Sequence, residues 1–260
     1  METTEGNDTP VLTVVESYEA MSRQAADRVA ATVARTPAAA ITVPTGETPL
    51  GMYRELVDRV ERGEVDVSQT HVFCLDEYLD VSPEAEGSLT RWLTRAFIEP
   101  ARISPDHVHT LPSEAPDAEQ AAARYEAEIA ALGGLELAVV GLGPNGHIAF
   151  NEPGSGPDSR TRVVELTPES RDQSADYWDG KQEIPAKAIT IGLGTILTAR
   201  QIVLIVAGES KADILRRALE EPMTSTVPAS WLRLAAERLE VIANQAAASR
   251  LRTKGIGVRG

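Results

Sequence analysis

Residues 135–154 read Leu-Glu-Leu-Ala-Val-Val-Gly-Leu-Gly-Pro-Asn-Gly-His-Ile-Ala-Phe-Asn-Glu-Pro-Gly. The apolar run at 135–140 predicts a buried strand. The glycine-rich loop that follows leaves backbone N–H groups free to face an anion. His147 and Glu152 lie in the same loop, and their side chains can transfer protons near neutral pH. An anion site beside proton-transfer groups predicts an enzyme that acts on a phosphorylated metabolite.

The glycines within residues 141–146 also match the dinucleotide-binding pattern G-x-G-x-x-G, and Glu165 lies about 20 residues further on, where a ribose-binding acid belongs. In that motif the third glycine opens a long helix whose N-terminus holds the pyrophosphate. Here Pro153 and Gly154 interrupt the chain soon after the third glycine, so only a short helix could form. The context therefore disfavours a nicotinamide cofactor.

The composition narrows the class of protein. The chain has 260 residues, 42% of them hydrophobic, and a formal net charge of −14. This charge argues against nucleic acid or an anionic membrane as the main partner. Cys74 is the single cysteine, which excludes a disulfide within one chain and a cysteine-rich zinc site, and we expect no metal. Because no basic leader precedes an apolar core and no apolar run reaches transmembrane length, we predict a soluble cytoplasmic protein.

Strand-like and helix-like segments alternate along the chain, which is typical of a mostly parallel sheet with helices on both faces. We therefore predict one α/β domain over residues 1–260, built on a Rossmann-like sheet. Strands are expected near residues 38–43, 70–75, 107–111, 135–140, 160–166, 188–191, 201–206 and 239–243, and helices near 16–36, 48–62, 89–98, 118–132, 169–178, 210–219, 228–234 and 245–251. The polar segment at 152–187 is either a flap (a lid) over the site or an ordinary irregular connection.

Ligands of open α/β sheets bind at the carboxyl ends of the strands. After the strand ending at Val43, Thr45 and Thr48 offer hydroxyl groups, and Gly46 allows the backbone to approach a ligand closely. Thr48 as N-cap and Pro49 at the first helical position predict an immediate helix start. The segment is interpreted as a phosphate site, the alternative being a plain capped helix start.

Two further strand ends carry ionisable groups. Asp76 directly follows the second predicted strand, where partial burial would raise its pKa and make it a better base. Taken alone, the Asp76–Glu77 pair favours helix capping or a solvated turn over a catalytic role. Lys211 begins a helix after the strand ending near Val206, and it either neutralises a phosphate or is a surface lysine.

Together these stretches resemble the glucosamine-6-phosphate deaminases (isomerases) of amino-sugar catabolism. The resemblance covers roughly residues 15–245 in order, and it rests on the stretches at 44–49, 75–78, 146–154, 159–162 and 188–195. The His-Ile-Ala-Phe-Asn-Glu-Pro stretch at 147–153 is highly specific for that family. The related 6-phosphogluconolactonases share the fold and the Gly-His pair, but they typically continue differently and lack this glutamate.

The resemblance implies conversion of an amino-sugar phosphate and water to fructose 6-phosphate and ammonia, without a metal or organic cofactor. Asp76 matches the family's base, which takes the C2 proton and passes one to C1. His147 matches the group that opens the pyranose ring, and Glu152 and Asn145 match its supporting partners. Substrate and phosphate contacts are expected at Thr45, Gly46, Glu47, Thr48, Glu77, Gly143 and Lys211.

Two positions depart from the family pattern. Asp176 stands where relatives usually carry an arginine that contacts the phosphate, so the charge there is reversed. Val164 stands where allosterically regulated members carry a basic residue, although Arg162 remains. The first change argues against a phosphate contact at this helix, and the second argues against activation by an acetylated sugar.

Three alternative functions stay open at this point. A galactosamine-6-phosphate deaminase is the alternative most similar to the main prediction, because no motif in the sequence distinguishes the configuration of the C4 hydroxyl. A 6-phosphogluconolactonase would have no need for the Asp76 base. A sugar-phosphate sensor without turnover is favoured by Asp176 and opposed by intact Asp76, His147 and Glu152. The family includes monomers and hexamers, so the sequence leaves the oligomeric state open, with a homo-oligomer as one option.

Overall fold

The computed structural model describes residues 10–174, 184–252 and 257–259. The strands are β1 (Val11–Val15), β2 (Ala40–Val43), β3 (His71–Cys74), β4 (Asp76–Tyr78), β5 (Val108–His109), β6 (Leu137–Gly141), β7 (Arg162–Glu165), β8 (Lys187–Thr190), β9 (Ile202–Val206), β10 (Leu239–Asn244) and β11 (Gly257–Arg259). The α-helices are α1 (Tyr18–Arg35), α2 (Leu50–Glu61), α3 (Leu89–Leu93), α4 (Ala118–Ala131), α5 (Pro168–Ser174), α6 (Leu193–Leu197), α7 (Ala212–Glu220) and α8 (Gln245–Ala248). A π-helical turn at Thr94–Ile98 extends α3, and 3₁₀ segments lie at Pro105–His107, Glu209–Lys211 and Pro228–Arg238.

Eight strands form one sheet in the order β11-β1-β10-β9-β6-β2-β3-β5, and all its neighbouring strands are parallel. Along the buried strand β9, side chains alternate between two cores, with Leu204 facing one and Ile205 the other. Helices α4 and α7 pack in the first core, and α1 and α2 pack in the second. The predicted α/β architecture with helices on both faces is confirmed.

Helix α1 shows how the local sequence produces this layering. Its inner face is a row of apolar residues spaced four apart, all of them buried: Met21, Ala25, Val29 and Val33. Ser17 caps the helix by accepting a hydrogen bond from the backbone N–H of Ala20 at 3.2 Å.

In the described part of the chain, no helix combines the length and the apolar character that crossing a membrane requires.

A second, antiparallel sheet has the order β4-β8-β7, and it was not predicted. The chain leaves the main sheet after Cys74 and enters this small sheet at Asp76, which pairs with Thr190. The strand predicted at 160–166 is confirmed as β7, and it pairs with β8. The flap over residues 152–187 stays a prediction, and residues 175–183 of that segment lie outside the described residues.

The start of α2 differs from the prediction. Pro49, not Thr48, is the N-cap residue, and no side chain caps the helix. Pro49 already has helical backbone angles, with a φ of −80° and a ψ of −9°. The turn from β2 therefore brings the backbone directly into the helix. The Thr48 hydroxyl is therefore not used as a helix cap.

Three of the four histidines meet at the edge of the main sheet formed by β3 and β5. His71 Nδ1 and His109 Nε2 are 2.9 Å apart, and His109 Nδ1 lies 2.8 Å from Oε2 of Glu128. The ring of His107 is centred 4.4 Å from that of His71. Burial, and after it the neighbouring His107 and His109, lower the pKa of His71.

This histidine cluster makes stability sensitive to acid. The unfolded chain binds a proton at His71 more readily than the folded chain, so the unfolding free energy falls as pH drops below about 6.5. We expect His71→Gln, which keeps a polar side chain of similar size, to lose less stability between pH 7 and pH 5 than the wild type. Urea denaturation at both pH values measures this. Equal acid losses would show that His71 does not carry the effect.

Candidate active site

A cavity of about 220 Å³ opens at the carboxyl ends of β2, β3 and β6. Eight of the predicted site residues line it: Thr45, Gly46, Glu47, Thr48, Asp76, Gly143, His147 and Lys211. Tyr78, Trp92 and Phe150 add aromatic surface to its wall. Residues distant in sequence meet here because parallel strands end at the same edge of the sheet.

The turn between β2 and α2 has the features of an anion site. Gly46 has a φ of +98°, in the left-handed region that favours glycine. Among the described residues, no protein acceptor bonds the backbone N–H groups of residues 46–48. Burial lowers the pKa of Lys211, which lines the same cavity, and no carboxylate in the described chain offsets this. Free N–H groups and a half-buried ammonium both favour a bound anion such as a phosphate.

Asp76 lies in the cavity wall as a buried carboxyl group that is only 6% exposed. Its Oδ1 atom has no hydrogen-bond partner within the described residues. Burial, and secondarily the charge of Glu77, raise the pKa of Asp76 to about 7. A carboxyl group with this pKa can take up a proton in one step and return it in the next.

Two residues of the loop after β6, Asn145 and Glu152, contact His147. Asn145 accepts the backbone N–H of His147 on Oδ1 at 3.0 Å, and its Nδ2 donates to Oε2 of Glu152 at 2.8 Å. Nδ1 of His147 lies 3.6 Å from the same Oε2. Asn145 and Glu152 do not line the cavity themselves, and both contact His147, which does.

The charge of Glu152 is set by its partners. Burial raises the pKa of this carboxyl, but hydrogen bonding with His147, Ser170 and Asn145 and the charge of His147 outweigh burial, and the pKa falls to about 2. Glu152 is therefore ionised at neutral pH and can only accept hydrogen bonds. An ionised carboxylate behind an imidazole stabilises the charge that the ring gains when it takes up a proton.

Ser170 and Thr167 belong to this cluster and were not predicted. Ser170 Oγ is 3.2 Å from Nδ1 of His147, and Thr167 Oγ1 donates to Oε2 of Glu152 at 3.3 Å. Both lie at the start of α5, far along the chain from the loop they contact. The predicted helix at 169–178 was the available signal, but it gave no information about which loop the helix would meet.

Glu77 was predicted to contact the substrate, and the structure places its carboxylate elsewhere. The carboxylate accepts the Ser88 hydroxyl at 2.8 Å and the backbone N–H groups of Leu89 at 3.0 Å and Thr90 at 2.9 Å, at the start of α3. Adjacent residues of a strand point to opposite faces, so with Asp76 toward the cavity, Glu77 points away from it. The structure assigns Glu77 to helix capping.

Of the two positions that depart from the family pattern, Val164 is described by the structure, and it does not line the cavity. Val164 is half-buried in β7. Arg162 donates to Oδ1 of Asn151 at 2.9 Å and to the Ser155 hydroxyl at 2.8 Å. Arg171 donates to the carbonyl of Ile184 at 2.9 Å. Asp176 lies outside the described residues.

Comparison with known proteins places this cavity in a family. The family model for glucosamine-6-phosphate isomerases/6-phosphogluconolactonase matches residues 14–241. The chain belongs to this family. The match includes every residue that lines the cavity and the Asn145–Glu152 pair behind it.

Relatives within the family include bacterial glucosamine-6-phosphate deaminases. The protein of that name from Thermoanaerobacter pseudethanolicus is 37% identical over 234 residues, which cover 90% of this chain and 92% of the relative. The one from Cutibacterium acnes is 38% identical over 238 residues, with 92% and 91% covered. The family relationship thus extends over nearly the whole length of both chains.

Solved structures of the family agree with the fold. A monomeric glucosamine-6-phosphate deaminase superimposes with a TM-score of 0.89 at 33% identity, covering 92% of this chain and 99% of the other. A 6-phosphogluconolactonase from Trypanosoma brucei gives 0.74 at 18% identity, covering 93% and 98%. The second likeness shows a shared fold only.

Within the described residues, no group of three or more histidine, cysteine, aspartate or glutamate side chains is arranged to hold a metal ion.

Proposed function

We propose that the chain is a glucosamine-6-phosphate deaminase, which converts D-glucosamine 6-phosphate and water to D-fructose 6-phosphate and ammonia. The observation that carries this proposal is the buried Asp76 carboxyl, with a pKa raised to about 7 and one oxygen without a partner, in a cavity shared with His147. Relatives of that name at 37–38% identity support it.

The anion site fixes the substrate in this proposal. The phosphate lies at the start of α2, against the N–H groups of residues 46–48 and the Lys211 ammonium. Thr45 and Thr48 add hydroxyl donors, and Glu47 and Gly143 contribute to the cavity wall. With one end of the sugar held, the other end lies between Asp76 and His147.

Ring opening is the step assigned to His147. The imidazole takes the proton from the anomeric hydroxyl and delivers one to the ring oxygen, while the C1–O5 bond breaks and C1 becomes an aldehyde. The ionised Glu152 behind the ring stabilises the transient imidazolium, and Asn145 holds both in place. Asn145 and Glu152 act through His147 in this scheme.

Isomerisation and deamination follow at Asp76. The carboxylate takes the C2 proton while O1 takes up the proton that the C2 ammonium of the substrate gives up, which forms an enolamine. Asp76 then delivers its proton to C1 and leaves an iminium at C2. Water then adds to C2, and the collapse of the adduct releases ammonia and leaves the ketone. A base with a pKa near 7 suits both halves of the proton transfer, because neither the charged nor the neutral form is strongly favoured.

A panel of three substrates tests this proposal against its alternatives. Purified chain is incubated in EDTA, without nicotinamide, with glucosamine 6-phosphate, galactosamine 6-phosphate or 6-phosphogluconolactone. We expect ammonia and fructose 6-phosphate from the first alone. Ammonia from the galactosamine epimer would reassign the substrate, and lactone hydrolysis without ammonia would identify a lactonase. Binding of glucosamine 6-phosphate without turnover would identify a sensor. Loss of activity in EDTA that a divalent metal restores would overturn the metal-free mechanism.

The oligomeric state stays a prediction. Relatives with solved structures include a deaminase described as monomeric. Light scattering after size-exclusion chromatography decides between a monomer and a homo-oligomer.

Gly143→Ala tests the placement of the His147 ring. A methyl group at Gly143 would lie 2.1 Å from Cδ2 and 2.2 Å from Nε2 of His147, so the ring would have to move. A misplacement of about 1 Å costs roughly 10²-fold in rate, and we expect kcat/KM for glucosamine 6-phosphate to fall by about that factor. Gly156→Ala is the matched control, because its methyl group meets nothing closer than 3.6 Å. A Gly143→Ala rate within about threefold of the wild type would refute this placement.

A further inference from the structure

A third side chain, Ser170, lies beside the His147–Glu152 pair. The 3.6 Å between Nδ1 of His147 and Oε2 of Glu152 is longer than a normal hydrogen bond. Ser170 Oγ lies 3.2 Å from the same Nδ1, and Ser170 is only 2% exposed. The hydroxyl is therefore the closer hydrogen-bonding partner of this ring nitrogen.

The direction of the Ser170 hydrogen bonds follows from its neighbours. Thr167 Oγ1 accepts the backbone N–H of Ser170 at 3.2 Å and donates its one proton to Ser170 Oγ at 3.2 Å or to Glu152 Oε2 at 3.3 Å, which anchors the start of α5 beside the loop. Glu152 is ionised and can only accept, and hydrogen bonding with Ser170 contributes to its lowered pKa. A serine hydroxyl has one proton and two lone pairs, so with its proton directed to Glu152 the oxygen can accept both from Thr167 and from Nδ1–H of His147.

We infer that Ser170 is a positioning residue whose hydroxyl bridges Glu152 and His147 and holds the imidazole with its proton on Nδ1 and its lone pair on Nε2. Nε2 is the edge that packs over Gly143 on the cavity side. A lone pair at that position is what the ring-opening step requires, because the anomeric hydroxyl must give up its proton first. The inference rests on the proposed function for its role in catalysis, but the tautomer itself is a property of the protein without substrate.

The tautomer can be measured directly. Nitrogen-15 NMR of histidine-labelled protein at pH 8 reports which ring nitrogen carries the proton, and the His147→Gln variant identifies the His147 signals among the four histidines. We expect a protonated Nδ1 in the wild type and in Ser170→Thr, which keeps the hydroxyl. In Ser170→Ala we expect this pattern to be lost. Ser22→Ala, which changes a buried serine of α1, is the matched control and should keep the pattern.

Kinetics give the second readout. Ser170→Ala should lower kcat on glucosamine 6-phosphate by about 10-fold to 100-fold, part of the roughly 10²–10⁴-fold that general acid–base catalysis supplies. KM should change less than threefold, and Ser170→Thr should recover most of the rate.

An unchanged tautomer in Ser170→Ala, or equal impairment of the alanine and threonine variants with both folded, would overturn the inference. If the threonine variant does not fold, the tautomer of Ser170→Ala decides alone. If the wild type releases no ammonia, the proposed function fails while the NMR result still decides the role of Ser170.

Discussion

Asp76→Asn is expected to lower kcat for ammonia release by about 10²–10⁴-fold, with KM for glucosamine 6-phosphate changed by less than about threefold. The amide has the size of the carboxyl but cannot accept the C2 proton. A coupled assay for fructose 6-phosphate, run beside an ammonia assay, measures both constants. Asp66→Asn, which changes an exposed loop aspartate, is the matched control and should retain the wild-type rate. Turnover of Asp76→Asn within a factor of about three would remove Asp76 from the role of base.

The same substitution should change the pH dependence of stability. The folded chain holds the Asp76 proton up to a pH of about 7, whereas the ordinary value is 3.8. The unfolding free energy of the wild type therefore falls as pH rises between these values, by up to about 4 kcal/mol. Relative to the wild type, Asp76→Asn should gain stability from pH 4 to pH 8, which urea denaturation at both values measures. A difference that does not vary with pH would contradict the raised pKa.

His147→Gln is the second substitution with a large expected effect. If His147 opens the pyranose ring, the variant can use only the small open-chain fraction of the substrate. A fast initial phase should be followed by a slow phase set by spontaneous ring opening, with kcat/KM reduced by about 10²–10⁴-fold. Adding more enzyme should then give little gain in the slow phase.

The control for this experiment is His107→Gln, which changes a histidine of the cluster at the sheet edge and should leave turnover unchanged. Progress curves at several enzyme concentrations separate the two phases. A slow phase that rises in proportion to the enzyme, with cyclic and open-chain forms slowed equally, would assign His147 to another role.

The parts of the fold that could be predicted are those with local signals. Buried strands such as β9 appear in the sequence as apolar runs, and amphipathic helices such as α1 appear as apolar residues at helical spacing. The α/β topology then brings the ends of the parallel strands together. This predicts that Asp76 and His147 lie close together, and both line the cavity in the structure. Gly143 and Lys211 also reach this cavity.

The parts that could not be predicted depend on contacts between distant segments. Strand β4 has only three residues, two of them acidic, and its pairing partner β8 lies about a hundred residues further on. Because this pairing was missed, Glu77 was assigned to the substrate and not to the start of α3. Ser170 reaches His147 through the same small sheet, since α5 follows β7 along the chain. The residue pattern within each of these segments does not indicate which distant segment it will contact.

The central claim is that one carboxylate, Asp76, moves hydrogen between C2 and C1 of glucosamine 6-phosphate. Its most direct test is NMR of the product formed from substrate deuterated at C2, with the reaction run in D₂O, so that any hydrogen delivered to C1 is deuterium. A single base on one face predicts fructose 6-phosphate with one deuterium at one of the two C1 positions, together with an equal amount of ammonia. Deuterium spread equally over both C1 positions, its absence from C1, or no fructose 6-phosphate at all would contradict the claim.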